Sequence, residues 1–280
     1  MPFKDLLLAL TTYPEPTPVT AVEDAVDLAA ALGAKLSAVA CEAKMKTPRN
    51  VVADYLLDIP AMVAAELQKS AVNAQSLLAL FEAAAGKKGV LGERFQPQCM
   101  TAEVPDVFTG LARLRDLTLV PVPTGDFIDQ WYAEAVIFGA GRPVMILPHR
   151  RQRTAPFKLG SVMIAWDGSR MAARAVADAL PILEAGRVHI LTVTDEKEIQ
   201  AHAAEDLAAS LARRGIHAEL HRVPSEGRRI GDVLETQVAV CSADLLVMGA
   251  FGHSRLREFI LGGATRSMLS RPPVPTLMSH

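Results

Sequence analysis

Residues 161–194, SVMIAWDGSRMAARAVADALPILEAGRVHILTVT, decide the fold class. SVMIAW (161–166) is a short apolar run bounded by polar residues, the pattern of a buried strand. SRMAARAVADALPILEAG reads as a helix, and RVHILTVT as a second apolar strand. Strands that are apolar almost throughout, alternating with helices, indicate a parallel sheet covered on both faces. Downstream the alternation continues with a helix around Ile199 to Arg214, the strand HAELHRV and the helix GDVLETQVAVCSA. The strand DLLVMGA and the closing segment RPPVPTLMSH complete it.

Upstream, the same alternation has already run once. DLLLAL (Asp5 to Leu10) is a buried-type strand, AVEDAVDLAAALG a helix closed by Gly33, and KLSAVAC (Lys35 to Cys41) the next strand. An alanine-rich helical region follows from Ala64 to Ala85. ERFQPQCM reads as one strand, EVPDVFTGLARLRD as a helix, LTLVPVP as a strand, and DFIDQWYAEAVIFG as a helix leading to RPVMILPH. The closing segments RPVMILPH and RPPVPTLMSH share Arg-Pro, an apolar strand and a terminal His. The expected fold is therefore α/β, with two tandem doubly wound parallel-sheet domains of about five strands each. Their expected spans are 1–150 and 158–280, meeting in HRRQRTAPFK, and the first has additional sequence between Glu42 and Val63.

Composition narrows the function classes. With 50% hydrophobic and 21% charged residues the chain is globular, and a formal net charge of -2 gives no global reason to bind nucleic acid or an anionic membrane. Arg150, Arg151, Arg153 and Lys158 bunch in the linker and read as solvated. Cys41, Cys99 and Cys241 are odd in number and form no CxxC pair, so neither a disulfide framework nor a zinc knuckle is expected. MPFKDLLLAL is too short an apolar run for a signal peptide, and no stretch reaches the length of a membrane span. A reduced, cytoplasmic, soluble protein is expected.

The stretch MGAFGHSRLREFILGGATRSML (248–269) crowds Gly249, Gly252, Gly262 and Gly263 around one short segment. In open parallel sheets ligands bind beyond the carboxyl ends of the strands, where the strand order reverses. Gly249 and Gly252 follow DLLVM directly and so belong to that edge. Leu256, Phe259 and Ile260 stand at i, i+3 and i+4, the spacing of a short helix. Gly262 and Gly263 then precede Ala264, Thr265 and another helix running towards Ser270. Bare backbone N–H groups at a helix start suit phosphate oxygens, and Thr265 adds a hydroxyl. AAAGKKG lacks the upstream glycine and the hydroxyl residue of a P-loop, while Gly139-Ala-Gly141 precedes a strand instead of following one.

The spacing glycine, two residues, glycine, nine residues, glycine, behind an apolar strand and with WDGS ending residues 161–169, resembles the ATP-binding motif of the universal stress protein family. The resemblance covers essentially the whole chain as a tandem pair. It implies that Ala165, Trp166 and Asp167 lie at the adenine and ribose end and that Val193 offers main-chain groups to adenine. Met248 and Gly249 would approach the ribose, and Gly252, Gly262, Gly263, Ala264 and Thr265 the phosphates. Gly263 stands where the family usually has Ser or Thr. Asp167 also reads as a turn or N-cap residue in DGSR, and Met248 as core. The first half departs from the motif: VPVPTGD brings Pro121 and Pro123, which supply no N–H, and ALTTYPEP has no Asp equivalent to Asp167. It is expected not to bind ATP.

The resemblance thus implies a stress-response sensor or regulator holding ATP (or AMP or ADP), with Mg as a companion ion. It further implies pairing of the halves through RPVMILP and VPTLM, with a homodimer as a further association. Two other readings stand beside it: a slow ATPase or phosphate-transfer enzyme, with Thr265 or His253 near the terminal phosphate, and a structural pseudo-dimer with both sites inactive. Arg255 or Arg266 would stabilise charge in the first of these, but no catalytic base stands out. His253 and Ser254 lack a third, orienting group. His217 and His221, four apart in a strand, would sit about 13 Å from each other, which points to structural or solvated roles and not a metal pair.

Overall fold

The computed structural model describes residues 2–45, 59–123, 130–149, 159–184, 186–195, 200, 202–250 and 263–280. The first half runs β1 (Asp5–Leu10), α1 (Val19–Leu32), β2 (Lys35–Ala40), β3 (Glu42–Lys44), α2 (Ile59–Lys88), β4 (Leu91–Phe95), β5 (Gln98–Met100), α3 (Val104–Ala112), β6 (Leu117–Val122), α4 (Trp131–Gly139) and β7 (Val144–Pro148). The second runs β8 (Ser161–Ala165), α5 (Arg170–Leu183), β9 (Arg187–Val193), α6 (Ala203–Ala212), β10 (Ala218–Val223), α7 (Ile230–Val240), β11 (Leu245–Gly249), α8 (Gly263–Ser270) and β12 (Thr276–Ser279).

Ten strands form one sheet in the order β10-β9-β8-β11-β12-β7-β6-β1-β2-β4. Each half contributes five strands in the same internal order, and every pairing within a half is parallel. The halves meet where β12 pairs antiparallel with β7, Thr276 opposite Ile146 and Met278 opposite Val144. Because that pair is antiparallel, the carboxyl ends of the first half's strands and those of the second half emerge at opposite edges of the sheet.

Alternation along the strands feeds two helical layers. Leu6, Leu8 and Leu10 of β1 share one apolar cluster with α1, α2, α5 and α6 residues such as Val22, Phe81, Ile182 and Leu207. Leu7 and Ala9 point the other way, into a cluster with Phe108 of α3, Ile137 of α4, Leu234 of α7 and Met268 of α8. Burial on both faces is why the central strands carry few polar side chains, whereas the edge strands β4 and β10 hold Glu93, Arg94, Glu219, His221 and Arg222. In α5 the stripe Ala172, Ala175, Val176, Ala179 and Ile182 faces the sheet, and Ser169 caps the helix by accepting a hydrogen bond from Ala172 N at 3.1 Å.

ERFQPQCM, read as one strand, is two. β4 pairs with β2 in the main sheet, whereas β5 pairs with β3 in a separate two-stranded sheet. The break falls at Gln96-Pro97. Proline has no N–H to continue the ladder, and the Pro97 carbonyl instead accepts from Glu42 N at 2.9 Å. The short helix expected around Leu256, Phe259 and Ile260, together with His253, Ser254 and Arg255, lies outside the described residues, as do Arg150, Arg151, Arg153 and Lys158. None of the described helices is long and apolar enough to cross a membrane.

One polar device recurs at matching places. Asp116 Oδ2 accepts from the backbone N–H groups of Lys4 and Asp5 at 2.8 and 3.0 Å, tying the start of β6 to the start of β1. Asp244 Oδ2 does the same for Gly160 and Ser161, both at 2.9 Å, tying β11 to β8. In each half the aspartate's own N–H returns a bond to the strand it holds, Asp116 N to Asp5 O and Asp244 N to Ser161 O. Asp244→Ala strands two backbone donors at once. It should lower unfolding free energy by about 1–3 kcal/mol, read as a fall in the urea midpoint with unchanged slope.

Candidate functional site

In the second half the strand order reverses between β8 and β11, which are hydrogen-bonded neighbours although β9 and β10 intervene in the chain. The carboxyl ends of β8, β11 and the neighbouring β9 bring together six of the residues singled out in the sequence, Asp167 among them. Ala165 ends β8, and Trp166 N continues the ladder to Leu191 O at 2.8 Å. Val193 lies beyond the last residue of β9 paired with β8, since Ala165 is matched to Leu191. Met248 and Gly249 end β11. The edge is thus stepped, with the end of β9 standing above that of β8.

Side chains at this edge are largely committed. The Trp166 indole Nε1 donates to Ala203 O at 3.0 Å, which turns the ring towards α6 and leaves its backbone at the edge. Met248 is buried in the core on the α7 and α8 face, so the core reading holds for its side chain. Asp167 Oδ1 accepts from Ser169 N at 3.0 Å, closing the turn through Gly168 at φ +70 into α5. The turn reading of Asp167 is therefore present in the geometry. The same turn holds the carboxylate, half-buried, beside the reversal point.

The two described glycines of the cluster differ physically. A Cβ on Gly249 would lie 2.6 Å from both Ala172 N and Met171 C, so glycine is required there by the backbone of α5 itself. A Cβ on Gly263 would meet nothing within 4 Å among the described residues. Gly263 opens α8 and is exposed, Ala264 is half-buried, and Thr265 is buried with 1% of its surface accessible. Gly252 and Gly262 lie outside the described residues.

The corresponding edge of the first half is built differently. Register pairs Leu6–Leu117 and Val162–Leu245 align the halves, which puts Thr11 where Asp167 stands and Pro121 where Gly249 stands. Thr11 is closed onto its own loop: its N–H donates to Thr17 Oγ1 at 2.9 Å, and its carbonyl accepts from Thr17 N at 2.9 Å. Thr12 Oγ1 donates to Cys41 O at 2.6 Å and is also bonded to Ser70 Oγ. Beyond these strands lies a cavity of about 280 Å³ walled by Leu10, Tyr13, Val104, Trp131, Tyr132 and His149. No lysine or arginine lines it among the described residues. Burial pushes His149 down to about 4, so the imidazole is neutral at physiological pH, and its Nε2 has no hydrogen-bond partner among the described residues.

Sequence reasoning missed two side-chain groupings. Cys41 and Cys99, 58 residues apart by number, meet closely enough to hydrogen-bond, and burial raises both thiols. His221, weighed against His217, has its contacts elsewhere: with His189, at 3.0 Å between ring nitrogens, and with Cys241. Only the strand register reveals either grouping.

Against this geometry the comparisons with known proteins are informative. A family model described as the universal stress protein family matches residues 158–280. The chain is similar along nearly its full length to a solved universal stress protein from Archaeoglobus fulgidus, at 16% identity and a TM-score of 0.67, covering 98% of this chain and 97% of that one. A Pseudomonas aeruginosa protein, described provisionally as a universal stress protein, superposes with a TM-score of 0.62 at 13% identity, covering 99% and 93%. No curated protein matches the sequence. The second half is a universal stress protein domain, and the chain as a whole has the fold of these proteins.

Gly249→Ala should destabilise the protein by about 1–3 kcal/mol with or without any ligand, because it overpacks β11 against α5. Gly263→Val should leave apo stability within about 0.5 kcal/mol, since the new side chain enters open space. Thermal unfolding of the two variants checks the contrast. For His149, the unfolded chain protonates first as pH falls, near the ordinary value of 6.5, while the folded group resists to about 4. The stability gained by keeping it neutral is present above 6.5 and lost towards 4. His149→Phe should therefore shrink the difference between urea midpoints measured at about pH 7 and about pH 4.5.

Proposed function

We propose that the second half holds an adenine nucleotide, ATP or its AMP or ADP relatives, with Mg as a companion ion where phosphates are present. In this reading the protein is a cytoplasmic stress-response sensor whose occupancy alters its contacts with a partner. The observation that carries it is the reversal of strand order at β8 and β11 within the half that matches the universal stress protein family. Backbone at Ala165, Trp166 and Val193 would meet the base, Asp167 the base or ribose, and Gly249 the ribose. The amino end of α8, with Gly263 bare towards solvent, would face the phosphates alongside Gly252, Gly262, Ala264 and Thr265. Family membership of the second half and the three free cysteines favour this assignment and its reducing compartment.

The boundaries 1–150 and 158–280 are proposed as two domains, the first without nucleotide. Pro121 in place of Gly249, Thr11 in place of Asp167 and a cavity whose described wall holds Glu15 but no lysine or arginine support that division. A ligand of the first half would carry no phosphate, because the described wall offers a carboxylate, Glu15, and no cation. Pairing of the two domains within the chain, with a homodimer beyond it, completes the proposed assembly.

Native mass spectrometry of freshly purified protein tests the reading by the mass of a retained adenine nucleotide. Added Mg-ATP at about 100 times its dissociation constant should stabilise the protein by about 2.7 kcal/mol. Gly263→Val should abolish that shift while leaving the apo melting temperature in place. A wild-type protein with neither retained nucleotide nor a thermal response to ATP, ADP or AMP would sink the proposal.

A further inference from the structure

We infer that His189, His221 and Cys241, with Glu219 at the rim, form a binding site for a divalent cation of the zinc class. This inference is independent of the nucleotide reading. His189 lies in β9 and Glu219 directly opposite it in β10, with His221 two residues further along on the same face. Strand alternation aims all three towards α7, where Cys241 follows the last helical residue and closes the cluster.

The distances suit a small tetrahedral ion. Zinc–nitrogen bonds near 2.0–2.1 Å and zinc–sulfur bonds near 2.3 Å place neighbouring ligand atoms about 3.4–3.6 Å apart at a tetrahedral angle. Here His189 Nδ1 is 3.0 Å from His221 Nε2, Cys241 Sγ is 3.8 Å from the same Nε2, and Glu219 Oε2 is 3.4 Å from His189 Nδ1. The nitrogen and sulfur atoms of the three residues all lie within 4.8 Å of one another. The two distances to His221 Nε2 thus fall within about half an ångström of tetrahedral spacing, and binding would draw Cys241 Sγ towards the His189 nitrogen from within 4.8 Å.

The protonation states also fit. Burial lowers His189, keeping its imidazole neutral, and both imidazoles are needed in that form. Burial and the Glu219 carboxylate raise the Cys241 thiol, so the metal-free site holds a protonated sulfur. Binding breaks that S–H bond, forms a metal–thiolate bond and releases the proton to solvent. The proton between the two imidazoles moves to an outer ring nitrogen, leaving His189 Nδ1 and His221 Nε2 as donors to the ion. Two nitrogens and one thiolate are a zinc-type set, too soft for magnesium or calcium, with the fourth position left to water or to Glu219 at the rim. The ion would brace β10, an edge strand of the ten-stranded sheet, to β9 and α7.

The test uses the full chain, stripped with a chelator and titrated with zinc under equilibrium dialysis, and with cobalt as an optical probe. One zinc per chain is expected, with a thiolate-to-cobalt charge-transfer band and the intense visible bands of tetrahedral cobalt. Cys241→Ala should remove the charge-transfer band and weaken zinc binding at least tenfold. The double variant Cys41→Ala/Cys99→Ala should leave both unchanged. His221→Gln, at a half-exposed position, supplies a second loss variant, and circular dichroism confirms that each variant is folded. Absence of stoichiometric binding, or a charge-transfer band that survives in folded Cys241→Ala, would overturn the inference.

Discussion

Hydrogen bonds between β12 and β7 decide the geometry of everything else. Thr276, Leu277 and Met278 lie antiparallel to Ile146, Met145 and Val144, and both strands are wholly buried. Neither strand is an edge: each has a parallel neighbour on its other side, β11 and β6. Two five-stranded parallel sheets thereby become one, and the row of unpaired amides and carbonyls each would otherwise expose is removed. The same pairing reverses one half relative to the other, so their carboxyl edges face away from each other. Any two ligands bound at those edges would be separated by the length of the strands.

The two halves nevertheless interact beside β12 through α4 and α8. Arg266 of α8 is close enough to Glu134 of α4 to pull its carboxyl down against the burial that raises it. α4 also supplies Trp131 and Tyr132 to the first-half cavity. His280 follows β12, meets the Phe138 ring of α4 edge-on at 4.8 Å between centroids, and contacts Ala250 O at 3.2 Å. Ala250, through His280, and Arg266, through its charge, are thus coupled to the helix that walls the first-half cavity.

Conservation of architecture with divergence of chemistry is visible at matched positions. Asp116 and Asp244 make the same three backbone bonds, a task set by the strand geometry common to both halves. At the opposite ends of those strands the residues differ. Pro121 stands against Gly249, and a loop sealed by Thr11 and Thr17 stands against the Gly168 turn that Asp167 closes. Backbone pairing needs the former to stay alike, while nothing in the sheet requires the latter to.

Sequence alone determined the alternation of strands and helices, because apolar runs such as DLLLAL and SVMIA are needed wherever a strand is covered on both faces. It also marked the carboxyl edge of β11, since glycine where backbones crowd is a local requirement legible without coordinates. What it left undecided depended on register. The split at Pro97, the contact of Cys41 with Cys99, and the meeting of His189, Glu219, His221 and Cys241 arise from strands and helices distant in the chain. Periodicity tells which face a side chain takes, but only the packed sheet tells what it finds there. For the same reason the sequence marked Gly249 as a place of close backbone approach, while only the fold shows that α5 is what lies 2.6 Å from the position of its missing Cβ.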